Sequence, residues 1–512
     1  MRNGGRNYRP AARLFLVFLL ILLAVGCRRG PEKEISIVYT NDLHGHILPE
    51  RVRDWSGRTG GYAVFVGWLK ETRRENEKKG IPTLLLDAGD IFMGTVEGNQ
   101  TRGRAVIRLM DLAGYDAMAL GNHEFDFGFY NLQQLAELAD FPFLSSNVLR
   151  KETGRILSFT RPYIVKKYDG LTVGIIGVTT AEVPEITLPR NVGQVIFKDP
   201  IPAVQAYQRL LEQEGVDLLI VLSHLGLKED TALARAIPEI DLIVGGHSHD
   251  LLTRPLRVGE GGTLICQAGS YGRFAGRLDL RVDTGGDAIS AYESTIFANR
   301  QWSRPADIAT NRLLEEIKSE VGNEYDQMVG QALQDVLTDD DDESPLGDLI
   351  ADAVREAGGA AAAFQNPYGI RGDFLEGPIT RRDVFTVLPF NDTIITMELT
   401  GRQIRELIEQ SLTMKKGMLQ ISGLRVEYSV DRPEGKRVLS AAIGGNPLDD
   451  ASRYTVATNG FLAGGGDYFS TFSRGEAPRD TGILLREAVS TYIRNHTPLY
   501  PANFSRDRWV KR

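Results

Sequence analysis

The chain has 512 residues, more than one hydrophobic core accommodates, so two domains are expected. Its 67 Asp and Glu outnumber 59 Lys and Arg, for a formal net charge of −8. That balance argues against nonspecific nucleic-acid binding as the main task, and it leaves small anionic substrates open because local arginines and bound cations set the field inside a site.

Arg2, Arg6, Arg9 and Arg13 precede an unbroken apolar stretch at 14–25, whose 12 residues suit a signal-peptide core and are too few for an ordinary membrane span. The stretch ends at Ala24-Val25-Gly26-Cys27. This looks like a bacterial lipoprotein signal, with Ala24 where such boxes more often carry Leu. The expectation is removal of residues 1–26, lipidation of Cys27, a tether over 27–34, and export to the bacterial cell envelope (periplasm) with the membrane held through the lipid; an uncleaved anchor would give the same export. Cleavage would take the net charge to −12, because four arginines and no acids leave with the signal. Cys266 would remain as the only thiol, so no intrachain disulfide is expected.

Six of the seven histidines then fall in four of five short motifs: Asp42-Leu43-His44-Gly45-His46, Gly89-Asp90, Gly121-Asn122-His123-Glu124, Ser223-His224 and Gly245-Gly246-His247-Ser248-His249. Each follows a short apolar run, at 35–39, 84–86, 117–120, 218–222 and 242–244, which predicts buried strands. The motifs therefore occupy strand exits, where loops carry chemistry on a rigid support. Amphipathic segments at 62–75, 129–140 and 202–214 alternate with the strands, which predicts an α/β layered core. The strand at 172–178 ends on Thr179-Thr180 and is expected to serve the sheet alone. Asp, His and Asn without thiolate suit divalent ions such as Zn, Mn, Fe, Co or Ni and exclude a Cys-rich structural zinc site. A carboxylate can bridge two such ions about 3.5–4 Å apart, an arrangement suited to in-line displacement at phosphorus. Residues 42, 44 and 46 share one side of an extended segment, so spacing alone leaves His46 open as a ligand.

A seam is expected at 298–307 and a polar helix at 306–321. An acidic run at 339–343 reads as a solvated loop, and 358–363 as a helix end or loop. Gly347-Asp348-Leu349-Ile350-Ala351-Asp352-Ala353 opens a helix. Asn366 to Arg371, Val387-Leu388-Pro389-Phe390-Asn391, Leu419-Gln420-Ile421-Ser422-Gly423 and Gly464-Gly465-Gly466-Asp467 follow. His496 has no partner motif and reads as solvated.

The order and wording of these motifs resemble the calcineurin-like metallophosphoesterases, and within them the 5′-nucleotidases; Thr40-Asn41-Asp42-Leu43-His44, Gly121-Asn122-His123-Glu124-Phe125-Asp126 and the C-terminal stretches carry the match. The resemblance implies a four-layer αββα sandwich over residues 35–299, a connecting helix over 300–325 that permits domain rotation, and a second α/β (α+β) substrate-recognition domain over 326–512. It implies two divalent ions (Zn, Mn or Co), one held by Asp42, His44, Asp90 and His249, the other by Asp90, Asn122, His224 and His247. His123, oriented by Asp126, would stabilise developing charge on the phosphoryl group or the leaving oxygen. His46 would not be a ligand, and reads as a supporting or surface residue. In the second domain Arg371 matches a phosphate-contacting arginine, Asn366 a residue near the nucleoside or phosphate, Phe461 one wall of a base-stacking clamp, and Asp467 the acid that bonds a ribose hydroxyl. Read without the resemblance, Arg371 is a surface ion-pair partner, Phe461 a core aromatic and Asp467 a turn residue.

Three departures bear on the substrate. Ser344-Pro345-Leu346-Gly347-Asp348-Leu349 lacks an arginine found there in the family. Pro367-Tyr368 replaces a glycine pair, and Met418 stands where a second stacking aromatic is expected. A thioether can still cover a flat ring. The reading is hydrolysis of a phosphate ester by hydroxide generated at the metals, assisted by His123 and Asp126, on a nucleoside 5′-monophosphate. A 2′,3′-cyclic nucleotide or UDP-sugar is the nearest alternative. A thiosulfohydrolase or a non-catalytic surface-binding lipoprotein is more remote. Native metals and oligomeric state stay open.

Overall fold

The computed structural model describes residues 31–512 except 54, 56, 286, 287, 505 and 506. The signal stretch and Cys27 lie outside the described residues. Among the described residues, no helix is long and apolar enough to cross a membrane.

The first domain is built on two six-stranded sheets. One runs in the order Ala288–Ala298, Phe274–Asp283, Glu32–Thr40, Thr83–Asp87, Ala117–Ala119, Phe143–Leu144. The other runs Leu256–Val258, Thr263–Cys266, Leu242–Gly245, Leu218–His224, Leu171–Thr179, Tyr163–Tyr168. The period-2 alternation of each strand assigns its two faces. Ile35, Ile37 and Tyr39 point between the sheets, where they meet Ile175, Ile220, Leu222 and Val244. Val38 points the other way, into a layer with helices Gly61–Lys79, Arg104–Ala113 and Phe129–Leu138. On the far side Val221, Ile243 and Ile265 pack against helices Pro200–Gln213 and Leu227–Ala236. The result is the helix–sheet–sheet–helix sandwich.

The predicted connector forms a helix, Ile308–Val321, started by Asp307, whose side chain accepts from the Thr310 amide. It is not a free strut. Leu314 and Ile317 are buried in the outer helical layer of the first domain, and Lys70 pairs with Asp307 at 2.6 Å. Any hinge between the domains therefore lies beyond Val321.

The second domain holds a five-stranded sheet, ordered Gln420–Ser422, Ala362–Gln365, Arg453–Asn459, Thr393–Thr400, Glu476–Leu484, and a four-stranded sheet closed by Trp509–Lys511. Helix Pro345–Gly358 covers the larger sheet. The departure at 344–345 serves as its start signal: the Ser344 side chain caps the Gly347 amide, Pro345 fills a position that needs no N–H donor, and Gly359 ends it in the left-handed region at φ 58°. Cys266 is a buried free thiol.

Candidate metal centre and substrate cleft

Within each sheet the motif-bearing strands run parallel, so their C-terminal ends share a rim. The first sheet delivers Asp42, His44, Asp90, Asn122 and His123 there. The second delivers His224, His247 and His249. Five of the seven predicted ligands, Asp42, His44, Asp90, His247 and His249, have left-handed backbone, with φ between 49° and 76°. Such conformations cost of order 1–3 kcal/mol each away from glycine and persist where the surroundings enforce them, commonly at functional sites.

The ligand atoms form two neighbouring groups, Asp42–His44–His249 and Asp90–His224–His247, each with its atoms within 4.8 Å of one another. Asp90 also groups with His44 and His123, which puts its carboxylate between the two. His44 Nε2 lies 3.9 Å from both Asp42 Oδ1 and Asp90 Oδ2, and His249 Nε2 lies 3.4 Å from Asp42 Oδ1. On the other side, His224 Nε2 is 3.0 Å from Asp90 Oδ2 and 3.2 Å from Asn122 Oδ1.

This donor set fits two cations. His44 Nδ1 donates to the Met93 carbonyl at 2.8 Å and His224 Nδ1 to the Ala88 carbonyl at 2.7 Å, which turns both Nε2 lone pairs toward the centre. The Nε2 atoms of His44 and His249 lie 3.1 Å apart, both on the Asp42 side of the centre, where one cation could take both. Burial, reinforced by Arg371, holds His44 well below the ordinary histidine range, and burial with the neighbouring His224 lowers His247 to about 3; both are thereby neutral, as ligands must be. Burial opposes charge on Asp42 and Asp90, yet the histidines around them keep both ionised, below the usual carboxylate range. Burial likewise opposes a charged His224, but Asp90 and Asp42 push it up to about 10. A field that holds a proton there holds a divalent ion as well.

His123 stands apart from the ligand groups in its bonding. Its Nδ1 is 2.6 Å from Asp126 Oδ2, and its amide donates to Asp90 Oδ1 at 2.8 Å. Burial disfavours the imidazolium, but Asp126 and Asp90 outweigh burial and raise its pKa. Phe390 of the second domain stacks on it with ring centroids 6.0 Å apart.

Two residues here escape a reading of the sequence. Glu124 is fully buried, and its carboxylate accepts from the amides of Gly121 at 2.7 Å and of Asp90 and Ile91 at 2.9 Å, tying together the turns that carry Asp90 and Asn122. It is visible within Gly121-Asn122-His123-Glu124, but a role of bonding backbone amides leaves no spacing signal. Tyr271, at φ 61°, packs its ring 5.6 Å from His44 and 5.4 Å from His249; nothing around it in sequence marks it.

The second domain completes the site. Arg371 Nη2 lies 3.3 Å from His44 Nε2, and Asp90, Asn122, His123, Arg371, Phe461 and Asp467 share the lining of one cavity of about 790 Å³ between the domains. Asn366 donates to Asp467 Oδ2 at 2.8 Å, and Asn459 donates to Asn366 Oδ1 at 2.9 Å. The tip of the Phe461 ring rests on Gly466, where a Cβ would lie 2.4 Å from Cζ. Burial pushes Asp467 up to about 6.

Residues 35–251 match the calcineurin-like phosphoesterase family and 327–474 the 5′-nucleotidase C-terminal domain. A snake venom 5′-nucleotidase of Crotalus adamanteus is 31% identical over 92% of this chain and 87% of its own length. The chain belongs to the 5′-nucleotidase family. It is thus a metallophosphoesterase hydrolase, of a family that uses two divalent ions. The crystal structure of a 5′-nucleotidase precursor from Thermus thermophilus superposes with a TM-score of 0.84 at 33% identity, covering 93% of this chain and 99% of that one. A trifunctional nucleotide phosphoesterase, YfkN of Bacillus subtilis, is 30% identical over 90% of this chain, which spans 34% of that longer protein.

One expectation for this nucleotidase needs correction. Met418 is 3% exposed in the core of the second domain and lies outside the cleft lining, so its thioether covers no ligand ring; the preceding Gly417 turns the chain with φ 68° and the Met418 amide is tied to the Asp340 carbonyl. Of the two roles left open for His46, the supporting one holds: it is buried, with Nδ1 2.6 Å from Glu50 Oε2 and its ring 4.4 Å from Tyr271, which in turn packs on His44. The acidic run is exposed over 339–342, as expected, and Asp340 within it also borders the cleft.

Proposed function

We propose that this chain is an exported enzyme that hydrolyses nucleoside 5′-monophosphates. The observation that carries the reading is the 3.3 Å approach of Arg371, from the second domain, to His44 in the metal centre of the first. A guanidinium is suited to two phosphate oxygens at once, and in this position it holds the phosphoryl group against the metal ligands while Asn366, Phe461 and Asp467 hold the nucleoside.

Asp42, His44, Asp90 and His249 would hold one ion, and Asp90, Asn122, His224 and His247 the other. Bound there, the ions supply an activated water and neutralise charge on the phosphoryl oxygens. His123, charged through Asp126 and Asp90, presents Nε2–H to the departing 5′ oxygen and releases its proton there as the P–O bond breaks; Asp126 keeps Nδ1 occupied so that Nε2 faces the substrate. Phe390 covers the other face of the imidazole and reduces water access.

The domain divisions are 35–299, 300–325 and 326–512, with the middle segment docked on the first domain. A signal over 1–26 and a lipid on Cys27 would bring the chain to the cell envelope through a tether over 27–34. Strand Glu32–Thr40 enters its sheet at the end away from the metal centre, so an anchor there leaves the cleft facing outward.

The test is product release by the fragment beginning after Cys27, reconstituted with Mn, Co or Zn, on AMP, UMP, ATP, UDP-glucose, 2′,3′-cyclic AMP and bis-p-nitrophenyl phosphate. Preference for AMP or UMP supports the reading. Turnover of the cyclic nucleotide, the sugar nucleotide or the generic diester alone refutes it and points to a recognition domain with another specificity.

A further inference from the structure

We propose that Tyr271 is a further catalytic residue of this enzyme: its hydroxyl donates a hydrogen bond to a non-bridging oxygen of the phosphoryl group, beside the Arg371 guanidinium. The inference rests on the phosphohydrolase reading above and is independent of which alcohol the phosphate esterifies.

Tyr271 lies between strands Thr263–Cys266 and Phe274–Asp283 and has left-handed backbone at φ 61°. For a bulky side chain that conformation is an outlier, kept only where the surroundings enforce it. Here they do. The Tyr271 amide donates to the Asp42 carbonyl at 2.8 Å. Asn41 grips the same turn, donating through Nδ2 to the Gly269 carbonyl and accepting at Oδ1 from the Ala268 amide at 2.8 Å. Gly272 follows so closely on the ligand loop that a Cβ there would lie 3.0 Å from Leu43 Cδ1. The strained turn is thus bound to the loop that carries Asp42 and His44. It sets one ring among three imidazoles, 5.6 Å from His44, 5.4 Å from His249 and 4.4 Å from His46.

Packing among those rings needs no hydroxyl. Tyr271 is half-buried and lines the cleft with Asp90, His249 and Arg371, and no described residue hydrogen-bonds its hydroxyl. Arg371 Nη2 reaches His44 Nε2 from the second domain at 3.3 Å, so Tyr271 and Arg371 flank the same ligand. Burial opposes the Arg371 charge, but Tyr271, Asp90 and Asp42 outweigh it and raise its pKa; the interaction with Tyr271 runs through the phenol oxygen and sets that oxygen on the guanidinium side. A phosphoryl group held by Arg371 against the metal ligands therefore meets the hydroxyl. A phenol supplies one O–H donor, and a donor already in place stabilises the charge redistributed during transfer without reorganising. The hydroxyl keeps its proton throughout, so the proton that His123 releases is unaffected.

The experiment measures kcat and KM for AMP and for p-nitrophenyl phosphate in the metal-loaded fragment beginning after Cys27, in wild type and Tyr271→Phe. Metal content after dialysis, melting temperature and calorimetric affinity for vanadate are measured alongside. Phe keeps the ring and removes only the hydroxyl. The expected result is a kcat lower by about 10–100-fold on both esters, with vanadate bound about 10-fold more weakly and with metal content and melting temperature as in wild type. Equal loss on both esters marks contact with the phosphoryl group, because p-nitrophenolate departs without needing a proton. Wild-type kcat and vanadate affinity in Tyr271→Phe, a loss confined to AMP, or a loss that tracks departed metal would each overturn the assignment and leave the phosphohydrolase reading standing. Turnover of neither ester by wild type would overturn both.

Discussion

Gly121 sits directly against the carboxylate of Asp90: a Cβ at position 121 would lie 2.2 Å from Asp90 Oδ1 and 2.7 Å from its amide. The carboxylate between the two ligand groups is thus seated by the absence of a side chain on the neighbouring strand exit. Gly121→Ala is expected to push Asp90 aside. Metal analysis after dialysis should show weakened retention, and turnover should fall by about 100-fold or more, the scale of a catalytic displacement near 1 Å. Retained metal and activity would mean that the loop shifts freely, contrary to the contacts found.

Glu124 holds the same pair of loops from behind, through the amides of Gly121, Asp90 and Ile91. Glu124→Gln keeps the shape but replaces one acceptor oxygen by a donor, leaving buried amides unpaired at about 1–3 kcal/mol each. The expected outcome is a lower melting temperature together with a metal affinity about 10–100-fold weaker, as for lost outer-shell support. A titration of metal against the melting temperature measures both; a variant equal to wild type in both would remove Glu124 from the support of the site.

His123→Ala addresses the proton. The side chain is absent from both four-ligand sets and is held by Asp126 at 2.6 Å, so metal content should persist while kcat falls by about 10²–10⁴. Asp126→Asn should give a smaller loss with a pH profile displaced to lower pH, since Asp126 is the first of the charges that raise the His123 pKa. Unchanged turnover in His123→Ala would take the residue out of the mechanism.

How much of this is legible in the sequence follows from what each residue does. Metal ligands must follow strand ends and be Asp, His or Asn, so Asp42, His44, Asp90, Asn122, His224, His247 and His249 announce themselves and the structure brings them together. Arg371 and Asp467 are legible through resemblance alone, because a single Arg after Gly-Ile or a single Asp after glycines has ordinary uses. Glu124 and Tyr271 are not, since one bonds backbone amides and the other packs on rings, and neither task imposes a pattern. Met418 reads as a cleft residue because chain position does not disclose which way a side chain turns; the backbone at Gly417 and Met418 sends it into the core. The connector reads as a polar helix free to swing, and its buried Leu314 and Ile317 lie on a face too narrow to stand out among its charges.

Asp467 supplies a pH dependence remote from the metals. Burial raises it to about 6, so below that pH it is mostly protonated and above it the carboxylate can accept from a sugar hydroxyl. The advantage of AMP over 2′,3′-dideoxy-AMP, which lacks those hydroxyls, is expected to grow as pH rises through about 6, and Asp467→Asn should flatten it. Comparing two substrates in one enzyme cancels the pH dependence of the metal centre. A constant ratio from pH 5 to 8 would show that Asp467 does not contact the sugar.

Contacts across the cleft bear on motion. Lys416 pairs with Glu182 at 3.2 Å, Arg382 pairs with Glu97, and Asn99 donates to the Pro389 carbonyl at 2.9 Å, so the substrate wall and the metal-ligand residues are held together in this arrangement. Substrate entry then requires these contacts to open, with the hinge after Val321 because the helix before it belongs to the first domain. Replacing Glu182 and Lys416 by cysteine and bridging them with a short bismaleimide is expected to stop turnover, whereas the same double variant without the bridge should turn over. Cys266 is buried and does not compete for the reagent. Full activity in the bridged protein would mean that substrate enters and product leaves with the domains closed.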